Sequence, residues 1–114
     1  MKIINFSKQK TICKNAALAD TAISRMVGLL GRKTIAPDEG LIITHCRSIH
    51  MFFMKFAIDV IFTDKNNKVL GLVKNIKPFC MSPYFFKARN AIELFPGTIE
   101  KTTTAIGDKI IFED

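Results

Sequence analysis

Three ionisable side chains interrupt segments that otherwise have the composition of buried β-strands. His50 lies in the stretch SIHMFFM, Asp59 in AIDVIFT and Glu93 in AIELF. An ionised carboxylate is costly to bury unless it is paired and hydrogen-bonded, so each acid needs a partner. An imidazole close to a carboxylate can exchange protons with a bound molecule near neutral pH. The three residues form a candidate site, and a structural ion pair or backbone contact is the competing interpretation for each of them.

Strand periodicity indicates which side chains share a face. Alternation within residues 49–54 predicts a strand with His50 and Met54 on one side. Asp59 and Glu93 each alternate with apolar residues in the same way in their own segments. The sequence therefore predicts that these polar groups gather around one pocket.

The remaining hydrophobic pattern predicts a mainly β protein. Strands are predicted over KIINF, KTIC, LIIT, AIDVIFT, KVLGLV, NAIELF and KIIFE, with a hairpin turn at DKNN and a single helical turn within TIEKTTT. One helix fits residues 20–31, because their apolar residues recur at helical spacing and a glycine follows. Many short strands with one packed helix indicate a single domain, residues 1–114, folded as a β-barrel or jelly-roll-like sandwich.

Composition and charge narrow the class of protein. The chain has 114 residues and a net charge of +7, so nucleic acid or an acidic protein would find a basic surface. No run approaches the ~20 apolar residues of a membrane span, and Lys8 and Lys10 interrupt any signal peptide. Three cysteines at wide spacings fit a reducing compartment. We therefore expect a cytoplasmic protein with no membrane contact.

The segment HCRSIHMFFM contains soft ligand types, but its spacing does not favour a metal. His45 and Cys46 are neighbours that would diverge in a strand, and neither CxxC nor HExxH occurs. No motif around Cys46 or Cys80 resembles that of a cysteine nucleophile. The sequence predicts no metal and no cofactor.

The loop over residues 77–88 mixes aromatic and cationic side chains in KPFCMSPYFFKARN. Such a mixture can stack on bases and contact phosphates. More often, a loop of this kind folds over the core as a lid or contacts a partner. We therefore predict a lid, with nucleic acid as the less favoured interpretation.

The chain also resembles a bacterial and archaeal family, the domain of unknown function 192 (DUF192). The resemblance covers residues 19–112 and rests, in order, on ADTAISRMVGLLGR, EGLIITHCRSIHMFFMKFAIDVIFTDKNNKVL, Pro78, IELFPG and IGDKIIF. It implies a compact β-barrel or jelly-roll-like domain with one packed helix, and it implies no established activity. Polar positions that recur in the family fall here on Arg25, Arg32, His50, Met54, Asp59, Glu93 and Asp108.

Three functions are compatible with these residues. The leading hypothesis is a binding module that holds a small anionic ligand or a peptide near His50, Asp59 and Glu93, under the loop 77–88. Its anion contacts would be Arg25, Arg32 and Arg89, with Met54 on the same wall as His50. An alternative is an acid–base enzyme, a hydrolase or isomerase, that uses His50 with Asp59 or Glu93. The other is a basic domain that contacts nucleic acid or protein.

Overall fold

The computed structural model describes residues 1–21, 24 and 28–114. The elements that lie wholly within these ranges are eight strands and one short helix, and Ser24 is also helical. The strands are β1 (Lys2–Asn5), β2 (Lys10–Cys13), β3 (Asn15–Ala19), β4 (Glu39–Thr44), β5 (Ile58–Thr63), β6 (Val69–Ile76), β7 (Asn90–Leu94) and β8 (Ile110–Glu113), and the helix is α1 (Thr98–Lys101).

The strands form two sheets. The smaller sheet has three antiparallel strands in the order β2-β1-β8, and the larger has five in the order β3-β4-β7-β5-β6. In the larger sheet β3 and β4 are parallel, and the other neighbours are antiparallel. Across the described residues the two sheets stay separate, so the fold is a mainly β sandwich and the closed-barrel version of the prediction does not apply.

The inner core lies between the two sheets. Register aligns Ile42 of β4, Ile92 of β7 and Ile61 of β5 across the larger sheet. These side chains pack with Ile3 and Ile110 from the smaller sheet, and all five are buried. Alternation along each strand explains the pattern, because every second residue faces the opposite sheet.

The outer face of the larger sheet is covered by loops. Val60, Phe62 and Ala91 on this face pack against Met51 and Met54 from the segment between β4 and β5. We call the residues 28–36, 45–56 and 77–89 the loop layer, because together they cover this second apolar face. The larger sheet is thus buried on both sides, and strand β5 is buried throughout as a result.

Two strand assignments differ from the sequence prediction. Residues 49–54 form no strand: His50 makes one isolated bridge to Met81, and Phe53 adopts a left-handed φ of 67° within a turn. Met51 and Met54 are both buried against the sheet although they are three residues apart, a spacing that the period of two of a strand cannot give. Conversely, β3 was not predicted, because NAALA lacks the β-branched residues typical of strands.

The predicted helix over residues 20–31 lies largely outside the described residues, since 22, 23 and 25–27 are not among them. Its predicted end is too late, because residues 28–31 form a turn in which Gly28 has a φ of 50° and Gly31 a φ of 84°. Left-handed φ values at glycine typically terminate a helix. The hairpin turn between β5 and β6 and the helical turn α1 are confirmed.

Candidate functional site

Glu93 lies on the outer face of the larger sheet, beneath the loop layer. It is paired in register with Val60, and its two strand neighbours Ile92 and Leu94 face the inner core. Only 5% of its surface is exposed. A cavity of about 140 Å³ lies against it, lined by Gly28, Leu29, Leu30, Ile43, Cys46, Ser48, Ile49, His50, Met54 and Glu93.

The carboxyl group of Glu93 has no hydrogen-bond or ion-pair partner among the described residues. Burial raises its pKa to about 7, and no hydrogen bond or nearby charge from the described part of the chain offsets this effect. A buried polar group of this kind is uncommon in native proteins, where nearly all are hydrogen-bonded. The carboxyl can therefore change its protonation state close to neutral pH, at the wall of a cavity.

His50 and Met54 border the same cavity, as the sequence predicted. His50 is exposed, so it lies where the cavity meets solvent, and its ring centre is 5.3 Å from that of Phe52. Met54 is buried and contributes an apolar wall, with its backbone N–H donated to the Met51 carbonyl at 3.2 Å. The cavity thus combines a polar mouth, an apolar lining and an acidic floor.

Cys46 and Ser48 complete the polar part of the lining. The Cys46 thiol donates to the carbonyl oxygen of Ser48 at 3.2 Å, and the Cys46 N–H donates to the Arg89 carbonyl at 3.1 Å. Sequence analysis included neither residue in the site. The even spacing of Cys46, Ser48 and His50 was the available signal, since such residues share one face of an extended chain, but the predicted strand began only at residue 49.

The loop over 77–88 supports the site from outside. Ser82 N–H donates to the Ile49 carbonyl and Ser82 Oγ accepts the Ile49 N–H, each at 2.8 Å. Phe85 N–H donates to the Arg47 carbonyl, and Met51 N–H to that of Cys80, also at 2.8 Å. The loop therefore folds over the core beside the site and braces residues 47–51, but among the described residues it does not line the cavity itself.

Asp59 lies on the opposite face of the larger sheet. Its Oδ1 accepts the Asn75 N–H at 2.9 Å, and its Oδ2 accepts the N–H groups of Gly97 and Ile99 at 3.1 and 2.9 Å. These contacts tie the end of β6 and the start of α1 to β5. The expectation that Asp59 shares a pocket with His50 and Glu93 is not met, because alternation points it toward the inner core.

The predicted anion contacts are dispersed. Arg32 forms a two-point ion pair with Glu39, at 2.6 and 2.8 Å, and this pair lowers the pKa of Glu39 to about 2. Arg89 is exposed and lines a separate depression, while Arg25 lies outside the described residues. Asp108, a family position, accepts hydrogen bonds from Asn5 and Lys8 far from the cavity.

Two further properties bear on the class of protein. Within the described ranges, no group of three or more His, Cys, Asp and Glu side chains is placed to hold a metal ion. In the same residues, no helix has the length and apolar character needed to cross a membrane.

Fold and site together define a small mainly β sandwich with a buried carboxyl in a cavity on the outer face of its larger sheet. A solved structure of a protein of unknown function from Novosphingobium aromaticivorans has the same fold, with a TM-score of 0.83 and 20% identity over 97% of this chain and 82% of that one.

Sequence comparison identifies the family. The family model DUF192, described as "Uncharacterized ACR", matches residues 3–112. A UPF0127 protein of Pyrococcus horikoshii is 37% identical over 95% of this chain and 96% of its own length. One from Pyrococcus furiosus is 32% identical over 95% of each. The chain therefore belongs to the DUF192 family, whose matched relatives carry the name UPF0127.

Proposed function

We propose that this protein is a binding module for a small molecule, part of which enters the cavity lined by His50, Met54 and Glu93. The observation that carries the proposal is the carboxyl of the buried Glu93, which lines the cavity and has no partner among the residues that the structure describes. Leaving such a group unsatisfied costs about 1–3 kcal/mol, and a ligand that donates a hydrogen bond or carries a positive charge would recover that cost. Unsatisfied and perturbed groups cluster at binding sites.

The cavity restricts the chemistry of the group that it accepts. Leu29, Ile43, Ile49 and Met54 are buried apolar walls, while the carboxyl of Glu93 provides an acceptor. We expect a compact group that is apolar on its sides and has an N–H or ammonium donor at its tip. A bound peptide would have to insert one side chain of this type.

Ligand-dependent thermal stabilisation tests the proposal. A panel of small amines, amides and amino acids would be screened at pH 8 against wild type, Glu93→Gln and the control Glu100→Gln, which removes an exposed carboxyl. We expect donor-bearing ligands to raise the Tm of wild type and of Glu100→Gln but not that of Glu93→Gln. Equal stabilisation of Glu93→Gln, or none of wild type by any member of the panel, would refute the proposal.

An acid–base enzyme is the second candidate. It is supported by one observation: a carboxyl whose burial raises its pKa to about 7 lines the same cavity as an exposed imidazole. Glu93 rather than Asp59 would then act with His50. A bell-shaped pH–rate profile that collapses in His50→Gln would establish this function, while ligand binding without turnover of any bound compound would exclude it for those compounds.

We also propose a cytoplasmic location and no nucleic-acid function. None of the three cysteines is in a disulfide, which suits a reducing compartment. The loop 77–88 is bonded along its length to residues 47–51, so its backbone already has partners. Purified protein at low salt whose 260 nm absorbance is no greater than that of its ten Phe and one Tyr would agree, whereas nucleic acid that is released at high salt would contradict this part of the proposal.

A further inference from the structure

The Glu93 cavity is smaller than a typical ligand. At about 140 Å³ it matches engineered cavities of roughly 150 Å³ that hold benzene, whereas ligand pockets usually have about 300–1,000 Å³. A molecule whose tip contacts Glu93 must therefore extend beyond the cavity. The surface next to the cavity decides what the rest of the molecule can be.

A second depression, of about 450 Å³, adjoins the cavity. Cys46 and Ser48 line both, so the two share a common wall. The other residues of the depression are His45, Arg47, Tyr84, Ala88 and Arg89. Its described lining includes two arginines and no acidic residue, so the depression is opposite in charge to the floor of the cavity.

The backbones of both arginines are held in place. Arg89 N–H donates to the Thr63 carbonyl at 2.7 Å, and the Arg47 carbonyl accepts the Phe85 N–H at 2.8 Å. The Arg47 guanidinium donates to the Tyr84 hydroxyl at 3.4 Å and lies 5.7 Å from the centre of the Phe86 ring. No carboxylate of the described residues forms an ion pair with either arginine. Both guanidinium groups therefore have donors left for an external anion.

We propose that the ligand is a small zwitterion of the amino-acid type, with its ammonium group on Glu93 and its carboxylate on Arg47 and Arg89. This inference rests on the proposed function and adds the second point of attachment. The ligand would run over Cys46 and Ser48, the wall that separates the two charges. The opposite charges of the two ends also fix the direction in which it binds.

The competing explanation for Arg47 and Arg89 is that both are ordinary surface cations that contact only water. Two features argue against it for this pair. The arginines line a concave depression and not a convex surface, and that depression shares a wall with the cavity of an unpartnered buried carboxyl.

Calorimetric titration with matched compounds tests the inference. A series of ω-amino acids of increasing chain length would be compared with the n-alkylamines that lack only the carboxylate, at pH 8. We expect one chain length to bind best and about tenfold more tightly than its amine, as one charge-assisted contact allows. The variant Arg47→Gln/Arg89→Gln would lose this tenfold difference and keep the amine affinity. Arg32→Gln, which removes an arginine paired elsewhere, is the control and should behave as wild type.

The outcomes separate the two proposals. If amine and amino acid bind wild type equally and both are lost in Glu93→Gln, the zwitterion is wrong and the small-molecule site stands. If the amino acids bind but their affinity does not respond to the double arginine variant, the second attachment point is wrong. If neither series binds, the zwitterion is wrong, and the thermal-shift panel, which also contains amides, decides whether the small-molecule site stands. Circular dichroism of each variant confirms that the exposed substitutions leave the fold intact.

Discussion

Asp59 and Glu93 are two buried acids on neighbouring strands that the sequence presents in the same way. Each interrupts an apolar β segment, and they are one register position apart, since Asp59 pairs with Leu94 and Val60 with Glu93. Their exposed fractions are 1% and 5%. They nevertheless face opposite sides of the larger sheet, and their environments share almost nothing.

The difference lies in the partners that each acid meets. Asp59 faces the inner core, where three backbone N–H groups converge on its two oxygens. Glu93 faces the loop layer, where it meets apolar side chains and a cavity. Although the two acids are equally buried, the carboxylate of Asp59 connects structural elements, while that of Glu93 remains available to a ligand. Burial alone does not distinguish the two roles; the supply of donors does.

The largest expected effect comes from removing the structural acid. Asp59→Ala leaves three backbone donors without their acceptor and should lower the free energy of unfolding by about 3–5 kcal/mol. Asp59→Asn retains one acceptor oxygen and should lose less. Urea unfolding monitored by circular dichroism measures both. A loss below about 1 kcal/mol for Asp59→Ala would show that the three contacts are not holding β6 and α1 to β5.

A smaller effect is expected for Glu93, whose ionisation should lower the free energy of unfolding as pH rises. Its pKa is raised from 4.5 to about 7 in the folded protein, so the folded state binds the proton more tightly than the unfolded state. This stabilisation is fully present below pH 4.5 and is lost as pH rises through 7, a change of about 3 kcal/mol at most.

The measurement is the difference in unfolding free energy between wild type and Glu93→Gln across pH 4 to 8. The Gln side chain of Glu93→Gln cannot ionise, so this variant should lack the decrease in unfolding free energy with rising pH. Parallel pH curves for the two proteins would mean that Glu93 finds a partner or remains solvated, and the contrast with Asp59 would disappear.

The smallest effect is expected for the surface pair. Arg32 and Glu39 form a two-point ion pair, whereas neither buried acid is in an ion pair among the described residues. Both partners are substantially exposed, with side-chain exposures of 43% and 31%. Arg32→Gln should cost less than about 1 kcal/mol at pH 7. Because the pair lowers the pKa of Glu39 to about 2, this contribution is present above pH 4.5 and is lost as pH falls toward 2. Chemical denaturation at pH 7 and pH 2 measures it, and a larger loss would indicate that the pair anchors residues 36–39.

Most strands could be predicted because their signal is local. Alternating or continuous apolar runs bounded by turn residues predicted β4, β5, β6, β7 and β8, and the DKNN sequence predicted the turn at Asp64 that joins β5 to β6. The segment around Met51 and Met54 misled the same reasoning. The predicted strand placed His50 and Met54 on one face, but Met51 and Met54, three residues apart, are the buried pair and are held by a loop.

The sequence by itself determined the class of fold and identified His50, Asp59 and Glu93 as unusual, because hydrophobic periodicity and the cost of burying charge are properties of each segment alone. Tertiary structure decided which of these groups meet. It placed Asp59 among backbone donors on one face, Glu93 beside a cavity on the other, and Cys46 and Ser48 between that cavity and two arginines. The physical reason is that the donors, walls and neighbouring charges come from segments distant in sequence, and only the packing of two sheets and the loop layer brings them together.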